Sequence, residues 1–191
     1  MSTREPTDLP PYSYVPGGPW PHPTGSPQGH SWGAGREQVP PIVADDWRVS
    51  EAYLRGIELF NAGYYWEAHE AWEALWLAHG RKGPVARIVQ ALIKLAAAGV
   101  KIREGQPAGA STHAARAADL IEAARSEAGD SILGLDLQAW VNEARAIAER
   151  PPRDTGLPGQ AISRVFSFRI EPRLASGPLP VETGRAPRRS P

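Results

Sequence analysis

Proline is partitioned along this chain so that only the middle can be helical. Of the 20 prolines, 10 lie in residues 1–44 and 8 in residues 151–191, and only Pro84 and Pro107 fall between. Proline lacks an amide donor and clashes with the preceding turn, so helix interiors exclude it. The 191 residues therefore read as one domain of about 100–150 residues between two irregular arms. The predicted organisation is an arm over 1–44, a helical domain over 45–150 and an extended arm over 151–191 with a disordered tail. The first arm carries Tyr12, Tyr14, Trp20 and Trp32. Disordered segments are poor in aromatics, so this arm is expected to lie across the domain with its rings docked.

Charge and cysteine usage exclude several classes. Lys+Arg and Asp+Glu are both 21, without the basic excess of a nucleic-acid binder. The tail residues Arg185, Arg188 and Arg189 are too few for a binding arm. The absence of cysteine rules out disulfides, thiolate nucleophiles and cysteine zinc sites. No apolar run approaches the ~18 residues of a membrane span, and Met1–Pro11 lacks the apolar stretch of a signal peptide. A soluble cytoplasmic protein is expected, with no nucleic acid or membrane as partner.

Apolar residues at helical spacing predict five helices. The first spans about 45–61, with Asp45 and Asp46 at its N-terminus and Asn61-Ala62-Gly63 as its stop. The second spans about 64–79, and the short link forces an antiparallel helical hairpin. Gly83-Pro84 opens the third, with proline near the first position where its missing donor costs nothing. The fourth spans about 107–128 and buries small residues, implying close helix approach. The fifth spans about 136–149, with Asp136 as N-cap and Leu135 and Trp140 placed for a hydrophobic staple. Beyond it, Phe166, Phe168 and Ile170 alternate with polar residues like a strand that has no partner strand, and are read as an extended segment packed on the bundle. The fold class is a compact all-α bundle.

Chemistry concentrates in residues 63–76. At about 100° per residue, Tyr65, His69, Trp72, Glu73 and Trp76 share one sector of the second helix, with Glu70 nearer the edge. A histidine on an apolar stripe with a carboxylate at i+4 has three readings. The plainest is a buried pair in which Glu73 or a backbone group satisfies the imidazole. A second is a metal site, because His69-Glu70-x-x-Glu73 is one residue from the zincin H-E-x-x-H; His69, Glu73 and His113 are its candidate ligands, with His22 and His30 as arm candidates. The third is acid–base work or small-ligand binding by His69 with Glu70 or Glu73, the carboxylate tuning the imidazole. Tyr65, Trp72, Trp76, Lys94 and His30 are the candidate pocket residues. Lys94 lies on a polar stripe of the third helix, which reads first as a solvated face.

Gly29-His30-Ser31-Trp32-Gly33 matches the G-x-S-x-G nucleophile elbow. That elbow needs a strand before it and a helix after it, and prolines flank it here. It is read instead as a turn in which His30 and Ser31 pin the arm, with His22 doing likewise.

Gly63-x-Tyr65-x-Glu67-Ala68-His69-Glu70-x-x-Glu73-x-x-Trp76, continued by residues 90–98 and 103–110, resembles the signature of the domain of unknown function 309 family over about 48–125. The resemblance implies a compact all-α bundle and no established activity. The chain departs from the family's pattern at Lys94, where glutamine is usual, and at His113, where leucine is usual. Gly63-Tyr64 and Ala68 also echo a tetratricopeptide hairpin, but no second copy follows at that period.

Two functions stand at this level. One is a binding or interaction module with His69 and Glu73 as a buried structural pair, with a homo-oligomer or protein partner. The other is a small metal-dependent or acid–base enzyme, hydrolase-like, using His69, Glu70 and Glu73, with a divalent metal as its cofactor if one is present.

Overall fold

The computed structural model describes residues 9–35, 38–157 and 159–173. The basic C-terminal tail, and the disorder expected of it, lie outside the described residues. A 3-10 turn over Ala44–Val49 leads into five α-helices: α1 (Glu51–Ala62), α2 (Tyr65–Ala78), α3 (Gly83–Arg103), α4 (Pro107–Ala128) and α5 (Leu137–Glu149). Each helix packs on the next in sequence, and α3 lies between α2 and α4. The architecture is an all-α bundle. Among the described residues, no helix is long and apolar enough to cross a membrane.

The first helix begins later than its acidic residues suggest. Asp46 leaves helical geometry (φ −102°, ψ 23°), and Ser50 is extended, its side chain accepting from the Tyr53 amide. Serine supplies the N-cap that Asp45 and Asp46 were expected to provide. At the other end, Gly63 takes φ 93°, and the Gly63 and Tyr64 amides donate to Phe60 and Leu59. This left-handed closure favours glycine and turns α2 back at once.

Two close approaches hold α2 in place. A Cβ on Gly56 of α1 would sit 2.1 Å from the Trp72 indole nitrogen, and one on Gly99 of α3 would sit 2.6 Å from the Tyr65 ring. Trp72 is fully buried and donates its indole N–H to the Tyr53 carbonyl at 3.2 Å. On α4 the buried face is Ala110, Ala114, Ala117, Ala118, Leu120, Ile121 and Ala124, mostly alanines, whose short side chains let α4 approach α3.

Between α4 and α5 the chain forms a two-residue ladder, β1 (Ser131–Ile132) with β2 (Leu135–Asp136). Its turn holds Leu133 and Gly134 at φ 56° and 74°, the two positive values of a type I′ turn. A leucine in that conformation carries no turn signal, so sequence patterning passes over it. Its side chain is buried, and its carbonyl accepts from the Tyr53 hydroxyl at 2.9 Å. Asp136 caps α5 by accepting from the Ala139 amide, as predicted.

The strand-like stretch near residue 168 joins no ladder among the described residues and finds its partner in a side chain. Asn61 donates its amide to the Ile170 carbonyl and accepts from the Ile170 N–H, at 2.9 and 2.8 Å. One carboxamide thus supplies the donor and acceptor of a missing strand. Phe166 stacks on Phe60, with centroids 5.4 Å apart.

Gly56→Ala is expected to lower the free energy of unfolding by about 1–3 kcal/mol, the usual cost of overpacking a filled core. Urea denaturation followed by tryptophan fluorescence measures it.

Candidate functional site

Helix α2 presents three surfaces, and each candidate residue belongs to one of them. The first is core. Tyr65 and Trp72, expected in a pocket, are almost completely enclosed. The Tyr65 hydroxyl accepts from the Val165 N–H at 2.9 Å, and burial raises its pKa above the ordinary phenol value. Trp76 is half-buried, and the Arg81 guanidinium sits 5.2 Å over its ring, where cation and π-face attract.

The second surface carries His69. Its ring lies at 6.1 Å from Trp66, and its Nδ1 is buried without a hydrogen bond. Burial first, and then the Lys94 ammonium, lower its pKa, while Glu73 works in the opposite direction. Burial likewise lowers His113, helped by Lys94, Lys101 and His69 and opposed by Glu104. His69 and His113 thus face the Lys94 stripe of α3 from α2 and α4. Charges of both signs act on His69, Glu73 more strongly than Lys94, and no carboxylate hydrogen-bonds its Nδ1. Among the described residues, no group of three or more histidine, aspartate and glutamate side chains is placed to hold a metal ion. The candidate set of His69, Glu73 and His113 is not assembled.

The third surface faces the N-terminal segment, and Glu67 is its anchor. One carboxylate oxygen accepts from the Tyr14 amide at 2.9 Å and lies 3.2 Å from His30 Nε2. The Glu67 and His30 side chains are 6% and 9% exposed. A carboxylate only accepts, so the His30 proton sits on Nε2. The His30 Nδ1 lies 2.9 Å from the Ser31 hydroxyl oxygen. Glu67, His30 and Ser31 form a continuous chain of polar contacts. The loop bearing them is a turn, with the Gly29 and Trp32 amides donating to Ser26 and Gly29 and the Ser31 amide to Pro23. Among the described residues, no strand precedes it and no helix starts directly after it, which is not the setting of a nucleophile elbow. His22 accepts from the Thr24 and Gly25 amides and packs against Tyr14 and Trp66.

Beside this anchor a cleft of about 570 Å³ opens between the N-terminal segment, α1 and α2. Ser31, Glu51, Arg55, Glu70 and Glu73 line it. Burial, and behind it the Glu67 carboxylate, raise the Glu70 pKa above the ordinary carboxylate value, and Glu73 adds to the shift. Glu73 and Arg55 each have interaction partners in the structure. Glu70 and Glu73 thus share a cleft, and His69 lies outside it. His79, not singled out from the sequence, accepts from the Ile42 amide at 3.0 Å and fastens the segment before the 3-10 turn.

Sequence reasoning passed over Glu67. On a helical wheel it falls about 40° from Ala71, at the flank of the sector shared by Tyr64, Ala68 and Ala71. A carboxylate flanking a small and apolar sector is the signal that marks it.

Residues 53–112 match the family model described as Domain of unknown function (DUF309). No curated protein and no solved structure matches the chain. The DUF309 match spans α1 from Tyr53, all of α2 and α3, and the start of α4. It contains Glu67, His69, Glu70, Glu73 and Lys94 and stops just before His113. His30 and Ser31 lie outside it.

Two expectations follow. Glu67→Ala removes the acceptor shared by Tyr14 and His30 and is expected to release the N-terminal segment while the bundle stays folded. Hydrogen exchange checks this: protection falls in residues 12–31 and holds in α3–α5. The second concerns acid. His69, His79 and His113 all have pKa values below the ordinary histidine value. The unfolded chain protonates these rings first, so stability is complete above about pH 6.5 and falls as the pH drops below it. Glu70 acts in the opposite sense at the lower pH where carboxyls titrate, because there the folded chain holds the extra proton. The urea midpoint is expected to fall from neutral pH to about pH 5.5, and less steeply in His69→Gln.

Proposed function

We propose that this protein is a binding module whose α1–α2 cleft receives a cationic group, with His69 serving the fold rather than chemistry. The observation that carries this reading is the clustering of Glu51, Glu70 and Glu73 around one cleft against a single arginine, Arg55. Crowded carboxylates repel one another and lose hydration when half-buried, and both effects raise the pKa of Glu70. A cation entering the cleft opposes both through its positive charge, so its binding expels the proton that Glu70 holds at low pH. The ligand chemistry is an ammonium or guanidinium group, carried by a small amine or by a lysine or arginine of a protein partner.

The test is isothermal titration of the full chain with spermidine and, separately, with an arginine-rich peptide. Affinity is expected to rise with pH as Glu70 ionises. Glu70→Gln is expected to weaken binding about tenfold, the worth of one charge-assisted contact. Tighter binding of spermidine points to a small amine, and tighter binding of the peptide to a protein partner. Absence of binding by either, or unchanged affinity in Glu70→Gln, overturns the reading.

A second reading is acid–base catalysis in the same cleft. The run from Glu67 through His30 to Ser31 favours it, because the Ser31 hydroxyl at the cleft wall is backed by an imidazole that can take its proton. Of the residues expected for an enzyme, Glu70 and Glu73 line this cleft and His69 does not. Hydrolysis of an activated aryl ester that is lost in Ser31→Ala, with spermidine binding retained, would move the conclusion to catalysis.

A further inference from the structure

A second cleft, of about 770 Å³, lies where α3 ends and α4 begins, between the N-terminal segment and the stretch that follows α5. Its charge is opposite to that of the first. Arg103, Arg150 and Arg153 line it against Asp154 alone, so three guanidinium groups face one carboxylate.

The three arginines are held differently. Arg103 is built into the fold. Its side chain is 6% exposed. Its NH2 donates to the Gln160 carbonyl at 2.7 Å and its NH1 reaches the Ser13 carbonyl at 3.5 Å. Burial lowers its pKa, against the pull of Asp154. The Asp154 carboxylate is 3.8 Å from Arg103 Nε, at the edge of ion-pair range, and Nε has no hydrogen bond. Asp154 Oδ1 accepts from the Ser163 hydroxyl at 2.6 Å and the Gly156 amide at 2.8 Å, and Oδ2 is the oxygen nearest Arg103. Asp154 and, behind it, Glu67 are the carboxylates that favour the charged guanidinium. Arg150 and Arg153 are exposed at the rim.

One wall of the cleft is apolar. Trp20 lines it, with its ring stacked on Tyr12 at 5.2 Å and its N–H bonded to the Gly159 carbonyl at 3.2 Å. Pro151 and Pro152 also line it. Both hold fixed backbone shapes, so this wall is rigid.

We infer that this cleft binds a small organic phosphate, its dianion held by Arg150 and Arg153 with Arg103 behind them and its organic part against Trp20. Guanidinium groups meet phosphate oxygens through paired N–H donors. The excess of arginine over aspartate suits a dianion better than a single carboxylate. The inference is independent of the acidic cleft, which shares none of these residues.

The experiment is isothermal titration of the full chain with phenyl phosphate and with inorganic phosphate at low salt. Phenyl phosphate is expected to bind saturably at one site, more tightly than inorganic phosphate, with affinity that falls as salt rises. Arg150→Gln with Arg153→Gln is expected to weaken it about tenfold or more; both side chains are exposed, and a melting curve confirms that the variant is folded. Trp20→Phe is expected to remove the change in tryptophan emission that phenyl phosphate produces. Absence of saturable binding at millimolar phenyl phosphate overturns the inference. So does equal affinity in the double arginine variant, or equal affinity for the two ligands.

Discussion

Two glycines set the distance at which α2 lies between its neighbours, and everything carried by α2 depends on that distance. Gly56 leaves room for the Trp72 indole, and Gly99 for the Tyr65 ring. With both rings seated, the orientation of α2 about its axis is decided. Trp72 and Tyr65 point into the core, Glu67 points to the N-terminal segment, Glu70 and Glu73 to the acidic cleft, and His69 to the Lys94 stripe. A rotation of α2 by one residue would carry the glutamates away from the cleft and bury a charge without a partner, at considerable cost.

The irregular ends matter as much as the helices to what the molecule presents to solvent. The N-terminal segment forms one wall of both clefts. It is secured by polar contacts to groups of the bundle: Glu67 to Tyr14 and His30, the Tyr64 hydroxyl to the Pro10 carbonyl at 2.8 Å, and His79 to Ile42. A proline-rich segment has few amides to spare and no regular ladder to satisfy them. Side chains of the bundle take over that role. The same solution recurs at the other end, where Asn61 serves as a surrogate strand for Ile170. Cleft walls made in this way bring together residues distant in sequence: Ser31 with Glu70, and Trp20 with Arg153.

The helical framework was legible because it rests on local chemistry. Apolar spacing, Gly63 as a stop, Pro84 and Pro107 near helix starts, and the Asp136 cap each act within a few residues of the position they mark. The start of α1 was misplaced because two acidic residues precede a serine that makes the actual cap. The type I′ turn at Leu133 was missed because leucine tolerates positive φ there only with its side chain buried and its carbonyl bonded to Tyr53. In the candidate site, the helical wheel placed Glu73 with His69 and Glu70 nearer the edge. It did not reveal that Glu70 and Glu73 line one cleft and that His69 does not.

By itself the sequence determined the helix count, the confinement of helix to the middle of the chain and the segment in which charged groups concentrate. These follow from proline's missing amide and from the 3.6-residue period, which act along the chain. Tertiary structure alone decided which carboxylate is the anchor and which ones line a cleft. It also decided that His30 belongs with Glu67 and that three arginines from two elements face one aspartate. Those outcomes depend on distances across the bundle. Side chains that are equivalent in sequence acquire different surroundings there, through burial and the charges placed beside them.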